Sequence, residues 1–487
     1  MPIDRRTLLR GSTGAALAAT AAATAPLHAQ AQAQAQAAPA APVPDVTGTL
    51  ARYLVSARYE NLPANVRKQG TRTLLNWVGC AVGGSRHETV DKAVAALGPF
   101  SGKAEADVLG RKERFDALTA AFMNGVASHI FDYDDTHLKT IIHPAGPVAS
   151  AILALAQRRP VSGREFLNAL VLGVETECRI GNAVYPEHYA MGWHITGTAG
   201  VFGSAAACGK LLGLDAQQMA WAIGVAASQP VGLKIQFGSM TKSFHPGRAA
   251  QNGMVAALLA QQGFTSADAP LEGKDGWGQA LSTRRDWTQV TEGLGSRYEA
   301  ALNTYKPFAC GIVTHPAIDA AIQLKAENGL TGAEVESAVL HANPLVLSLT
   351  GKTDPQTGLE GKFSIYHCIA MGLLQGAAGE RQFSDAAVKD PAAVALRHKV
   401  SVRTDPAVKS EQCDLTLTLK DGRTLTKHIE HAVGSLERPM SDMALEAKFE
   451  DLARDVLPAE RIRRLMDLCW KVEGLADAGE IARTGAA

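Results

Sequence analysis

Apolar residues recur at helical spacing along the first two thirds of this chain. Leu118, Phe122, Val126 and Ile130 stand at i, i+4. Val66, Leu74, Leu75 and Val78 keep helical spacing within residues 63–82, which open on a proline suited to a first helical turn. Ser162 and Glu165 spell a capping box ahead of Phe166, Leu170 and Val174, and Asp215 with Gln218 does the same ahead of residues 219–225. Residues 194–212 are rich in Gly and Ala, as a buried helix would be, and the helix ending at Gln262 meets a natural stop in Gly263. From about Lys306 the period changes. Residues 335–341 and 400–404 read as strands, and residues 415–419, Asp421-Gly422 and residues 424–427 spell a hairpin. Helical spacing intervenes at 316–325 and 364–374 and returns at 444–474. The pattern predicts a mainly α protein: a large helical domain over 47–305, a smaller α+β lid over 306–443, and C-terminal helices over 444–475 that pack back on the first domain.

One stretch breaks the apolar texture. Between His129 and His143 lie Asp132, Asp134, Asp135, Thr136, His137 and Thr140. Ionisable groups this dense are costly to bury and hard to explain by packing alone. Continuing the preceding helix puts His129, Asp132 and Thr136 on one stripe with Asp135 beside them, and Pro144 ends it. A solvated helix end is the bland alternative, but the flanks are too apolar for it. The stretch is therefore the candidate active site.

The N-terminus carries Arg5-Arg6, a mild apolar run to about Ala25 and small residues near Ala29, the twin-arginine export pattern. Residues 1–30 are expected to be a signal peptide and 31–46 a disordered linker, giving a periplasmic protein. Lys+Arg and Asp+Glu both number 48, so there is no basic field for nucleic acid or anionic lipid. The seven scattered cysteines read as small core residues rather than a disulfide framework or zinc site. No Gly-x-Gly-x-x-Gly, Walker loop, CxxC or HExxH is present, so no cofactor or metal is expected. A minority metal reading uses Asp132, Asp135 and His137.

Other polar groups suit an anionic substrate. His194 follows Gly192-Trp193 at the start of a helix. Lys242, His245 and Arg248 gather positive charge near a helix start, where Pro246 fits the first turn. Lys306 and His315 lie at the domain change, where pockets commonly form. Acids and a hydroxyl on one wall with cations and imidazoles on the other suit a small di- or tricarboxylic acid. In this reading His194 or Lys242 is the general base, His143 the proton donor or orienting group, and Asp132 orients a histidine. His245, Arg248 and Lys306 hold carboxylates. The reaction expected is a cofactor-free elimination or decarboxylation; an epimerase and a non-catalytic carboxylate-binding protein are the alternatives.

Asp132-Tyr-Asp-Asp-Thr136, His143-Pro, Gly192-Trp-His194, Lys242-Ser-Phe-His245-Pro-Gly-Arg248, Lys306-Pro-Phe-Ala-Cys310 and Lys362-Phe-Ser-Ile-Tyr-His367 occur in this order. Together they resemble the MmgE/PrpD family, which includes 2-methylcitrate dehydratase and cis-aconitate decarboxylase. The resemblance spans about 47–474. It implies the helical domain plus α+β lid, a homodimer, and a metal-independent site between domains. It also implies functional roles for Asp132, Thr136, His143, His194, Lys242 and Lys306, and a substrate contact from the later Phe-Ser motif at Tyr366 or His367. Two departures stand out: the loop between Thr136 and His143 is one residue longer than in the decarboxylase branch, and Cys310 or Gly311 stands where that branch uses a histidine.

Overall fold

The computed structural model describes residues 44–487. The expected signal peptide and all but residues 44–46 of the expected linker lie outside them. Helix α1 is Val46–Ser56, α2 Ala64–Gly84 and α3 Ala117–His129. A short strand β1, Asp135–His137, precedes α4, Ala145–Leu155. Then come α5 (Gly163–Val184), α6 (Ile195–Leu212), α7 (Ala216–Ala227) and α8 (Thr241–Gln261). Both capping boxes form as the sequence reads: the Ser162 hydroxyl accepts from the Glu165 N–H, and the Asp215 carboxylate from the Gln218 N–H. Helices α3, α4, α5, α6 and α8 pack on one another, with Gly and Ala at their crossings. At one crossing, a Cβ on Gly125 of α3 would stand 2.5 Å from the Cα of Gly247 in α8. Only glycine lets two backbones meet so closely. That contact brings the C-terminal end of α3 beside the N-terminal end of α8.

The C-terminal part begins with β2, Asn303–Tyr305, which pairs antiparallel with β1 (Asp135 opposite Tyr305, His137 opposite Asn303). Helix α9 is His315–Asn328, β3 Val335–Ala342 and α10 Ile365–Gln375. Strands β4 (Val400–Thr404), β5 (Cys413–Leu419) and β6 (Thr424–Ile429) complete a four-stranded sheet of order β4-β3-β5-β6. β3 runs parallel to β4 and antiparallel to β5, and β5–β6 is the hairpin expected around Asp421-Gly422. α9 and α10 cover one sheet face through Ala321, Leu324, Ile369 and Leu373. The chain then returns: α11 (Asp442–Ala453) and α12 (Ala459–Trp470) pack on α2. Phe449 and Leu465 join the same core as Trp77. The architecture is a mainly helical domain with a smaller α+β domain in the C-terminal part. No helix among the described residues is long and apolar enough to cross a membrane.

Two local expectations fail. The helix does not run through residues 129–143. α3 stops at His129, Asp132 turns into the left-handed region at φ 50°, and residues 135–137 become strand. Aspartate tolerates that region and its carboxylate competes with the helical ladder, so a run of acids ends a helix that apolar spacing would extend. Pro144 instead precedes the first residue of α4. Pro246 does not start α8 but sits inside it, because the helix begins earlier, at Thr241. All seven cysteines are free and buried, as expected of core residues.

Candidate active site

The turn after α3 and strand β1 deliver the acidic cluster; α8 delivers Lys242 and His245; Lys306 directly follows β2. Asp132 is the centre. Its Oδ1 accepts from Lys242 Nζ at 2.8 Å and from Lys306 Nζ at 2.8 Å. Lys306 also donates to the carbonyls of Asp132 and Cys310. All three side chains are buried. Burial pushes the Asp132 carboxyl up, but the Lys242 and Lys306 ammonium groups outweigh it and hold the group well below its ordinary range. Burial lowers Lys242, and its contact with Asp132 opposes that.

Hydrogen bonds fix most of the tautomers. Lys242 Nζ lies 2.8 Å from His129 Nε2. An ammonium only donates, so Nε2 accepts and the His129 proton sits on Nδ1, facing Asp134 Oδ2 at 2.7 Å. His143 Nδ1 is 2.8 Å from the Asp135 carbonyl, which only accepts, so His143 carries its proton there and has a bare Nε2. That Nε2 stands 3.8 Å from Asp132 Oδ1. Thr136 Oγ1 lies 3.3 Å from His143 Nδ1, and the His143 N–H donates to Thr196 Oγ1. His194 Nδ1 meets His245 Nδ1 at 2.8 Å, so one ring donates and the other accepts. Burial keeps His129, His143, His194 and His245 neutral, the last pushed down to about 3.

A small cavity of about 20 Å³ has Asp132, His143, His194, Lys242 and Lys306 in its wall. The rest of the lining is mostly apolar, Ile141, Phe237, Ile312, Val313, Leu349 and Phe363, together with Tyr189, Gly311 and Thr350. The structure therefore gathers Asp132, Thr136, His143, His194, Lys242, His245 and Lys306, as the sequence predicts. It does not bring in two others. Arg248 bonds to Gln251 and lies over the rings of Phe122 and Phe244. It is turned about 120° from Lys242 around the helix, at about 100° per residue. Tyr366 packs against the sheet core, and His367 bonds to the Gln382 carbonyl; that motif reaches the cavity through Phe363 instead.

Two groups lay in the expected stretch without an assigned role, and a third was not expected at all. His129 and Asp134 link Lys242 to the turn after α3. Lys448, on α11, donates to Asn76 Oδ1 and to the carbonyls of Tyr133 and Lys306, and burial lowers it to about 8. It ties both halves of the wall together. The sequence signal for His129 was its place beside the acids. Lys448 gave none, since a lysine on an amphipathic helix reads as solvated.

The minority metal set is dispersed. His137 faces Thr140 and Glu299, and Asp135 accepts from the Ala145 N–H and Asn303. The donor atoms that do converge, within 4.8 Å, belong to His129, Asp132, Asp134 and His143, or to His129, His143 and His194. Lys242 already bonds both Asp132 and His129, so a metal bridging those two would have to displace a buried ammonium.

Behind the cavity, burial and the neighbouring Asp134 push Asp135 up to about 7. Burial, then Asp135, raises Glu177 in the same direction. An unfolded aspartate ionises near about 4. Between those values the folded chain holds a proton that the unfolded chain has lost. The stabilisation is thus complete at low pH and is lost as pH rises through about 7. Asp135→Asn is expected to lose stability less steeply than the unsubstituted protein between about pH 4 and 7. Thermal denaturation across that range checks this, and parallel curves refute it.

Comparison with known proteins matches this architecture. The family model of the MmgE/PrpD N-terminal domain matches residues 48–290, and that of the MmgE/PrpD C-terminal domain matches residues 308–472. The chain belongs to the MmgE/PrpD family, as a lyase-type enzyme. Cis-aconitate decarboxylase of Aspergillus terreus is 26% identical over 466 residues, covering 89% of this chain and 94% of the relative. Cis-aconitate decarboxylase of Homo sapiens is 27% identical, covering 89% and 92%. 2-Methylcitrate dehydratase of Cupriavidus necator is 23% identical, covering 83% and 89%.

Proposed function

We propose that this enzyme is a dehydratase- or decarboxylase-type lyase of a small di- or tricarboxylic acid, and that its own side chains carry the chemistry. The observation behind this is the Asp132 carboxylate holding two buried ammonium ions beside neutral imidazoles. A substrate carboxylate competes with Asp132 for Lys242 and Lys306. The same ammonium ions stabilise the enolate-like charge left by loss of a proton or of carbon dioxide. His143 is the general base, because its Nε2 is bare; this inverts the assignment expected from sequence. His194 returns or supplies a proton, with His245 as the partner that exchanges its tautomer. The decarboxylase and dehydratase names of the relatives support the reaction class.

NMR of a polycarboxylate panel in D₂O tests the reading. Net product supports the lyase. Solvent exchange without product points to an epimerase, binding without exchange to a carboxylate-binding protein, and no response from any acid removes the substrate class. Activity is expected to survive EDTA. A cavity of about 20 Å³ cannot admit such an acid without opening, which supports the α+β part acting as a lid. Arg5-Arg6 supports export to the periplasm by the twin-arginine route; the Arg5→Lys/Arg6→Lys variant is then expected to stay uncleaved in the cytoplasm.

A further inference from the structure

We propose that Lys234 sets the demand for a second carboxylate: as the cavity opens to take an acid, its ammonium leaves the Tyr189 ring and holds the carboxylate that Lys242 and Lys306 do not. The proposal rests on the polycarboxylate reading above and adds a specificity-determining residue to that site.

Charge balance in the cavity wall calls for such a group. Lys242 and Lys306 share the Asp132 carboxylate and the four imidazoles are neutral, so this wall carries one net positive charge. A dicarboxylate brings two negative charges and a tricarboxylate three. A buried carboxylate without a counter-charge is costly. Other cations near the wall are committed: Lys139 to Glu299, Lys362 to Glu380, Lys448 to Asn76 and two carbonyls, and Arg248 to Gln251.

Lys234 has no such commitment among the described residues. Its Nζ lies 4.3 Å from the centroid of the Tyr189 ring, and Tyr189 is buried and lines the cavity. Burial lowers the Lys234 ammonium, and no carboxylate opposes this. Backbone contacts fix its place. The Lys234 N–H donates to the Gly192 carbonyl at 2.8 Å, the His194 N–H to the Gly232 carbonyl at 3.0 Å, and Trp193 bridges to Leu233. Gly232 also meets the neighbouring imidazole, for a Cβ there would stand 2.9 Å from His245 Cγ. The segment is thus stitched beside the His194–His245 pair, while the Lys234 side chain rests on a ring face. A cation–π contact is weak beside a charge-assisted hydrogen bond, so a substrate carboxylate displaces Tyr189. Lys352, against Gly238, is also unpaired among the described residues, but it is exposed and keeps its water.

Ligand-observed NMR titration of the full chain with isocrotonate, maleate and cis-aconitate tests this. They carry one, two and three carboxylates on the same cis-alkene. Lys234→Met keeps the length of the side chain and its contact with the ring. It is expected to weaken maleate and cis-aconitate by about tenfold to a hundredfold and to leave isocrotonate unchanged. Lys234→Arg, which keeps the charge, is expected to retain most of the affinity. Lys420→Met, on the exposed hairpin turn, controls for net charge and changes none of the three. NMR of turnover on the same acids reads the lyase activity separately; for any acid turned over, Lys234→Met raises KM and changes kcat far less. Equal losses for all three acids mean a structural role and overturn the proposal. So do unchanged binding in Lys234→Met, a selective loss carried by Lys352→Met instead, or no binding of maleate and cis-aconitate to the unsubstituted protein. Turnover in any of these cases leaves the lyase reading intact. The selective loss in Lys234→Met with no acid turned over supports Lys234 and overturns the lyase reading.

Discussion

His143→Gln lowers kcat by at least about a hundredfold, with KM changed far less, in steady-state assays on whichever acid the protein turns over. His143 Nδ1 is held by the Asp135 carbonyl, so the lone pair is on Nε2, which stands 3.8 Å from Asp132 Oδ1, and the residue lines the cavity. Glutamine keeps a donor near the Asp135 carbonyl but offers no base. The loss belongs to the chemical step, so circular dichroism of the variant matches the unsubstituted protein. Activity within about threefold of normal, in a folded variant, removes His143 from proton transfer.

Asp132→Asn has the larger effect on the molecule as a whole. Asparagine accepts the left-handed backbone that Asp132 adopts at φ 50°, so the turn survives and the change is one of charge. Lys242 and Lys306 then remain buried without their shared counter-charge. Removing one partner from a buried ion pair costs about 3–5 kcal/mol. Denaturant unfolding is expected to show a loss of that order together with loss of turnover. A variant as stable as the unsubstituted protein shows that the two ammonium ions are not charged together in the fold. Asp132→Ala is expected to lose about 1–2 kcal/mol more, from strain in the same turn.

Local signals explain what could be read from the sequence. Helices α2 and α5, both capping boxes and the β5–β6 hairpin rest on residues within a few positions of one another, and each formed as read. The acidic stretch was legible as a site because nothing in packing requires three carboxylates there. Its backbone was not. Asp135–His137 becomes a strand only because Asn303–Tyr305 lies against it, and no residue near either segment announces the pairing. Arg248 misled because it shares a helix with Lys242 and His245, and charge spacing alone did not tell which face met the cavity. Lys448 was invisible for the opposite reason: its three acceptors come from Asn76, Tyr133 and Lys306, far away in the chain.

That last contact sets an order of events during synthesis. The segments bearing His129, His143, Lys242 and Lys306 leave the ribosome before α11 does. Until Lys448 arrives, the carbonyls of Tyr133 and Lys306 lack the ammonium that joins them, and the wall carrying Asp132 and Lys306 has no strut behind it. A chain stalled before Asp442 has every reactive side chain of the cavity and none of this bracing. The wall behind Asp132 and Lys306 is therefore completed only by the last helices to be made.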